Sequence, residues 1–368
     1  MVQAFERLGH IVEMEGLAVT SAKDNVSRPS AISRLRRALP RSAFELAQAA
    51  TSGATFLPIR HRIAAFRPDF IYKRHAKYDF GPVLAARHSR VPVILEVNCV
   101  YSAPSLRKFE PVSFSSALAA TERWIFDHVD RNIAVSTPLM RELLAVGPRA
   151  RAVVMSNGVD HKRFVPDATL GAQVRQRLRI ANEVVIGFVG TLWKWHGLDL
   201  LIDAFANVAD SLKTRLLIVG DGEMRDALLR QCQARKVGDR VIFTGRVTHE
   251  EVAGFIAAMD ITVLPAEHRS HACPMKVIEY MAAAKPVVGP DLPNLQEILT
   301  DGLDGLLFPP NDVRGFTECL ERLSRNTALR QRLGAAARQK VEHELNWDSN
   351  ARRVMALYEE IRRERAAG

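Results

Sequence analysis

"GFVGTLWKWHGLDLLIDAF", residues 187–205, reads as a strand, a turn and a helix in immediate succession. An apolar run begins at Val184 and ends at Gly190, and a polar-aromatic loop then carries Lys194 and His196. Gly197 precedes a segment whose apolar residues recur at helical spacing. A strand with no polar alternation is buried on both faces, and an amphipathic helix after it supplies one cover. That is the repeating unit of a parallel sheet.

The same alternation extends in both directions. Upstream, the expected strands are "HIVEMEGLAV" (10–19), "DFIYKR" (69–74), "PVILEVN" (92–98), "RNIAVS" (131–136) and "AVVMSNG" (152–158). Downstream they are "RLLIVGDG" (215–222), "RVIFTGR" (240–246), "DITVLPA" (260–266), "KPVVG" (285–289) and "GLLFPP" (305–310). Helix-period segments such as "LLIDAFANVADSL", "EMRDALLRQCQARK" and "HEEVAGFIAAM" lie between them. The pattern breaks across 158–183 and restarts, which predicts two Rossmann-like halves. The expected division is an N-terminal domain over 1–165, a linker over 166–182 and a C-terminal domain over 183–345. The segment 346–368 is expected to be a helix crossing back to the first domain. The chain opens on the helix pattern "MVQAFERLGH", where an open α/β domain ordinarily begins with a buried strand and a glycine-rich turn. The N-terminal domain is therefore expected to lack its first βα unit in this sequence, either because the protein has none or because the start codon is assigned too late.

Length and composition narrow the class. At 368 residues, 47% hydrophobic and 25% charged, the chain has enough apolar surface for two cores and is far from disordered composition. No apolar run reaches the roughly 18–20 residues that span a bilayer, and the opening residues do not form a signal peptide. Cys99, Cys232, Cys273 and Cys319 are scattered without a CxxC pair, which argues against structural zinc and a disulfide framework and fits a reducing cytoplasm. Residues 1–180 hold 27 Lys and Arg against 15 Asp and Glu, so the excess positive charge sits in the first half. Two readings of this face stand: attraction of phosphates, anionic lipid or nucleic acid, or a solvated surface decorated by an arginine-rich composition. The face lacks the interleaved aromatics of a single-strand nucleic-acid binder, and no nucleic-acid partner is expected. In "ISRLRRALPR" (32–41), Ile32, Leu35 and Leu39 share a helical face opposite most of the arginines. This segment is either a short surface helix or a peripheral contact with an anionic membrane. His75 and His88 have no metal-like cluster around them and are expected to be structural or surface groups.

A charge in an awkward place marks the candidate site. In "PMKVIEYMAAAKPVV" (274–288), Pro274 suits the first helical position. Lys276 would then lie in the first turn, where the helix dipole disfavours a cation. Glu279 follows one turn later in an apolar segment. An anion at the helix start changes the sign of the problem: N–H groups near Met275 bind phosphate oxygens, Lys276 neutralises the charge, and Glu279 accepts from a diol. The plainer alternative sends Lys276 to solvent and pairs it with Glu279 at i, i+3. The loop after Gly190 and Thr191 brings Lys194 to a glycine-flanked strand end, a second phosphate cradle. Gly220 and Gly222 lack the third glycine of a dinucleotide fingerprint and read as a tight turn. Gly245, Arg246 and Val247 form a loop able to frame a nucleobase.

In order, "FVGTLWKWHGLDLLIDAF", "LLIVGDGEMRDALL", "VIFTGRVTHEEVAGFIAAMDITVLP", "PMKVIEYMAAAKPVV" and "NLQEILTDGLDGLLFPPND" resemble the C-terminal domain of the GT-B retaining glycosyltransferases of family 4. "LGHIVEM", "PDFIYKR", "VDRNIAVS" and "SNGVDHKRF" are similar to its N-terminal domain and junction, and the resemblance covers about residues 1–360. It implies an α/β fold of two Rossmann-like domains facing a cleft. A nucleoside-diphosphate sugar is the implied donor substrate, with no separate cofactor or metal, and the acceptor is a glycan or lipid-linked molecule. The implied setting is cell-surface polysaccharide synthesis on the cytoplasmic side; the basic first half, by its charge, would suit an acceptor at the inner membrane surface with peripheral membrane contact. By position, Glu279 matches the second glutamate of the family's E-x7-E motif, on the ribose. Pro274, Met275 and Lys276 fall where diphosphate and sugar bind, with Gly190 and Thr191 at the strand-end loop and Gly245 and Arg246 at the base. His271 stands where the first glutamate is expected. Thr191 and His196 occupy the places of an Arg–Lys pair, which leaves Lys194 as the offset phosphate candidate. Asn98 replaces a histidine near the reacting carbon; an amide is no general base but can bond a sugar hydroxyl. Front-face attack, in which the leaving phosphate accepts the acceptor's proton, requires no such base. No D-x-D triplet occurs in the chain. Two other readings share these residues: a GT-B-like nucleotide-sugar epimerase and a degenerate, non-catalytic nucleotide-sugar-binding protein.

Overall fold

The computed structural model describes residues 1–14, 39–107, 110–209, 211–265 and 273–367. The chain forms two compact α/β units. One comprises Met1–Met155 with Ala351–Gly368, the other Ser156–Asn350.

The first unit carries a parallel sheet of β1 (Ile71–Arg74), β2 (Val93–Val97), β3 (Arg131–Ala134) and β4 (Ala152–Val154), in that spatial order. β2 is buried along its whole length, as its apolar run predicts. The opening residues form the helix Val2–Arg7, with Ala4 and Phe5 buried. The strand expected at 10–19 does not form in its described part: His10–Met14 is irregular, with Ile11 and Met14 exposed and so no buried face to hold a strand. Residues 15–38 lie outside the described residues, and with them most of the basic segment 32–41.

Beyond the carboxyl ends of β1 and β2, a buried carboxylate organises the loops. Glu122, on the helix Ser115–His128, lies 2.8 Å from Nε2 of His75 and accepts from the backbone N–H groups of Tyr101 and Ser102. His75 is thus a structural residue, whereas His88 is exposed at the end of Gly81–His88. Burial works to raise the Glu122 pKa, but the bonds from His75 and Ser102 outweigh it and hold the carboxyl below the usual glutamate range. A depressed carboxyl contributes stability above its unfolded pKa and loses it as pH falls through the folded one. Glu122→Gln is expected to cost about 1–3 kcal/mol near neutrality, because one of the two oxygens shared by His75, Tyr101 and Ser102 becomes an NH2 that cannot accept. Urea unfolding near pH 7 and pH 4 should show that difference shrinking in acid.

The second unit holds six parallel strands in the spatial order β10-β9-β8-β5-β6-β7. They are β5 (Val184–Val189), β6 (Thr214–Val219), β7 (Val241–Phe243), β8 (Ile261–Val263), β9 (Val287–Pro290) and β10 (Gly305–Phe308). The chain runs outward from β5 through β6 to β7, then returns to β8 on the other side of β5. Ile186 pairs with Ile261 and Gly187 with Thr262 across that reversal. Ile186 and Phe188 are fully buried beneath the helix Leu198–Ala209, which presents Leu201, Ile202 and Phe205 to the same core. Each such side chain contributes about 1.5–3 kcal/mol of apolar burial.

The segment expected as a linker is part of this unit. Asp167 caps the helix Ala168–Arg177 by accepting from Leu170 N–H at 2.8 Å, and Gly171 of that helix packs closely on the backbone of Ala257. The division between units falls at Met155/Ser156, earlier than the break in the sequence pattern suggests. The terminal helix spans Trp347–Ala367, and from Ala351 onward it belongs to the first unit. There Tyr358 stacks on Phe70 at 4.9 Å, and Glu364 accepts from Arg131 and Arg151.

Candidate active site

Open parallel sheets bind ligands beyond the carboxyl ends of their strands, where the strand order reverses. In the second unit that point lies between β5 and β8. β5 ends at Val189, just before Gly190, and the chain after β8 leads to the helix Met275–Ala282. Loop backbone meets loop backbone at three glycines. Gly190 N–H donates to Val219 O at 2.9 Å and Gly220 N–H to Gly245 O at 3.1 Å. Gly220 (φ +134°) lies so close to Gly190 that a Cβ there would stand 2.0 Å from the Gly190 carbonyl oxygen. The GxG turn therefore serves a close backbone crossing, as its missing third glycine suggests.

Lys276 is the centre of this region. Its Nζ lies 4.3 Å from the centroid of the Phe188 ring and 3.5 Å from Nε2 of His196. A Cβ on Gly190 would come within 2.7 Å of that Nζ, so glycine leaves the room the ammonium occupies. The plainer alternative for Lys276, a solvent-directed chain paired with Glu279, is not what forms. Burial lowers the Lys276 pKa to about 8, with Glu279 opposing. His196 lies in the single turn Lys194–His196, and its Nδ1 is 2.6 Å from the Thr191 carbonyl. A carbonyl only accepts, so Nδ1 carries the proton and Nε2 turns a lone pair toward Lys276. Burial, then the Lys276 charge, lowers the His196 pKa to about 4, leaving the ring neutral at physiological pH.

Glu279 is half-buried one turn along the same helix. Burial raises its pKa, while Arg163 and then Lys276 oppose the rise. Arg163 is held near it by its own bond to His249 O at 2.6 Å. Arg338 fixes both backbones, donating to His161 O and Phe164 O at 2.8 Å and to Ala282 O at 2.6 Å. Helix Met275–Ala282 starts one position later than expected: Pro274 is the N-cap (φ −78°, ψ 89°) and Met275 the first helical residue. Its ring still fixes the entry to the turn that carries Lys276.

The other expected residues fall as follows. Gly190 and Thr191 belong to the Lys276 cluster, and Gly245 (φ +71°) closes the neighbouring loop, with Arg246 exposed beside it. Lys194 is exposed, whereas Lys276 is half-buried. His271 lies outside the described residues. Asn98 belongs to the first unit, at the end of β2, where its amide nitrogen donates to Glu96 at 2.6 Å. The sequence did not single out Arg163 or the aromatic support from Phe188, and it did not connect His196 with Lys276. Their only local signal is a basic residue in "DHKRF" and a histidine beside a glycine.

The model of glycosyltransferase family 4 matches residues 1–163, and that of glycosyl transferases group 1 matches 183–326. This chain is a family 4, group 1 glycosyltransferase. The glycosyltransferase is 30% identical over 318 residues to a GDP-mannose-dependent alpha-mannosyltransferase of Mycobacterium tuberculosis, covering 84% of this chain and 77% of that one. Among solved structures, sucrose-phosphate synthase from Thermosynechococcus elongatus superposes with a TM-score of 0.69 at 22% identity, covering 90% of this chain and 81% of the other. Anabaena HepE in complex with UDP gives 0.67 at 19% identity, with 84% and 82% covered. These likenesses establish the GT-B fold. No helix among the described residues is long and apolar enough to cross a membrane.

Proposed function

We propose that the glycosyltransferase moves a sugar, with retention of configuration and without a metal, from a nucleoside-diphosphate sugar to a glycan or lipid-linked acceptor in cell-surface polysaccharide synthesis. The observation that carries the donor half is the Lys276 ammonium, held against Phe188 and His196 at the strand-order reversal. A half-buried cation at a helix start matches a departing diphosphate in charge and position. Glu279, one turn on, is the acceptor for the ribose diol. Pro274 and Met275 line the approach, and Gly245 and Arg246 frame the base. Lys194 and His271 are further contacts to phosphate and sugar. The relative that uses GDP-mannose and the neighbour that binds UDP support this donor class without choosing the base. In this reading the leaving phosphate takes the acceptor's proton, so Asn98 acts by bonding a sugar hydroxyl. The basic first half supports an anionic, lipid-linked acceptor at the inner membrane surface.

The test is calorimetric titration with UDP, GDP, ADP and dTDP, with and without EDTA. One nucleotide is expected to bind, insensitive to EDTA, and Glu279→Gln to weaken it about tenfold, the loss of one charge-assisted hydrogen bond pair. A folded chain that binds none of the four would refute the donor site.

A further inference from the structure

Lys276 needs a reason to stay charged and in place. It stands in a helix first turn, where the dipole opposes it, and burial lowers its pKa to about 8. Among the described residues, three titratable groups surround the question. Glu279 follows on its own helix, Tyr280 is buried with its hydroxyl accepting from Val189 N–H, and His196 faces it from the loop after β5. Glu279 is the carboxylate that opposes the loss of charge, and the proposed function commits it to ribose. That leaves the face of Phe188 and the lone pair of His196 as the groups that meet the ammonium directly.

We infer that His196 is a positioning residue of the glycosyltransferase: oriented by the Thr191 carbonyl, its Nε2 lone pair holds the Lys276 ammonium toward the donor diphosphate. The inference rests on the proposed role of Lys276 and extends it to a residue that need not touch the substrate. The geometry supports a direction. Because Nδ1–H is committed to Thr191 O at 2.6 Å, the ring offers Lys276 an acceptor and no proton. A neutral acceptor stabilises the charged form of its donor. A second cation at position 196 would do the reverse, 3.5 Å from Nζ.

The experiment reads Lys276 itself. Competitive labelling of the full chain with acetic anhydride from pH 6 to 10, followed by mass spectrometry, gives the titration of each lysine without any nucleotide. In His196→Phe, Lys276 is expected to titrate about one pH unit lower, with about a fivefold larger deprotonated fraction at pH 7. His196→Gln, which restores an acceptor oxygen, is expected to stay near the parent curve. Affinity for whichever of GDP and UDP the parent chain binds should follow: His196→Phe loses about fivefold at pH 8 and little at about pH 6.5. If Lys276 titrates in His196→Phe as in the parent chain, while Lys276→Ala loses nucleotide binding, the inference alone is overturned. If Lys276→Ala binds GDP and UDP as tightly as the parent, the donor-site reading falls and takes the inference with it.

Discussion

Lys276→Ala is expected to lower turnover about 100- to 1,000-fold, equivalent to about 2.7–4 kcal/mol of transition-state stabilisation. The size follows from the surroundings. An exposed cation facing a diphosphate is screened by water, whereas this ammonium lies over an aromatic ring in a half-buried position, where each charge interaction counts for more. Negative charge grows on the leaving diphosphate as the glycosidic bond breaks, so the loss should appear mainly in kcat. Lys213→Ala, on an exposed lysine before β6, is the control and should leave turnover unchanged. The pH dependence has a definite sign. Lys276 is cationic below its pKa of about 8, so kcat/KM should hold below that pH and fall above it. Steady-state kinetics with the donor identified by titration checks both. Equal losses in the two lysine variants would remove Lys276 from the site.

Gly220→Ala should be the most damaging single methyl group in the second unit. It would put a Cβ 2.0 Å from the Gly190 carbonyl oxygen, at a φ of +134° that L residues rarely adopt. Neither partner can step aside, since Gly190 is tied to Val219 and Gly220 to Gly245 through backbone bonds. The expected loss is roughly 3 kcal/mol or more in urea unfolding. Nucleotide binding should fall with it, because the displaced strand end carries the loop of Thr191 and His196. Gly238→Ala is the matched control: nothing stands within 4 Å of a Cβ there, and its effect should stay near 0.5 kcal/mol.

The fold was legible because β5, β6 and β8 are buried on both faces, and a continuous apolar run between amphipathic helices has few other solutions. Glycines at the strand ends announced the loops for the same local reason. Lys276 and Glu279 stood out as charges placed against the helix dipole and the apolar pattern. Their partners did not. His196 meets Lys276 only because strand order returns β8 beside β5, and pairing across such a reversal leaves no spacing in the sequence. Arg163 was hidden likewise, since its place near Glu279 depends on the three carbonyls gathered by Arg338. The division between the units was misplaced because a capped helix at 168–177 resembles a connector until its packing on Ala257 is visible.

The first unit is assembled from both ends of the chain, whereas the second is one uninterrupted stretch, Ser156–Asn350. A ribosome adding roughly 5–20 residues per second takes about 10–40 s to make the intervening segment. Throughout that interval β1 to β4 wait for Tyr358 to cover Phe70 and for Glu364 to reach Arg131 and Arg151. Birth order and folding order are thus inverted: the half synthesised first is the half completed last, and its unfinished surface is the one a chaperone would meet.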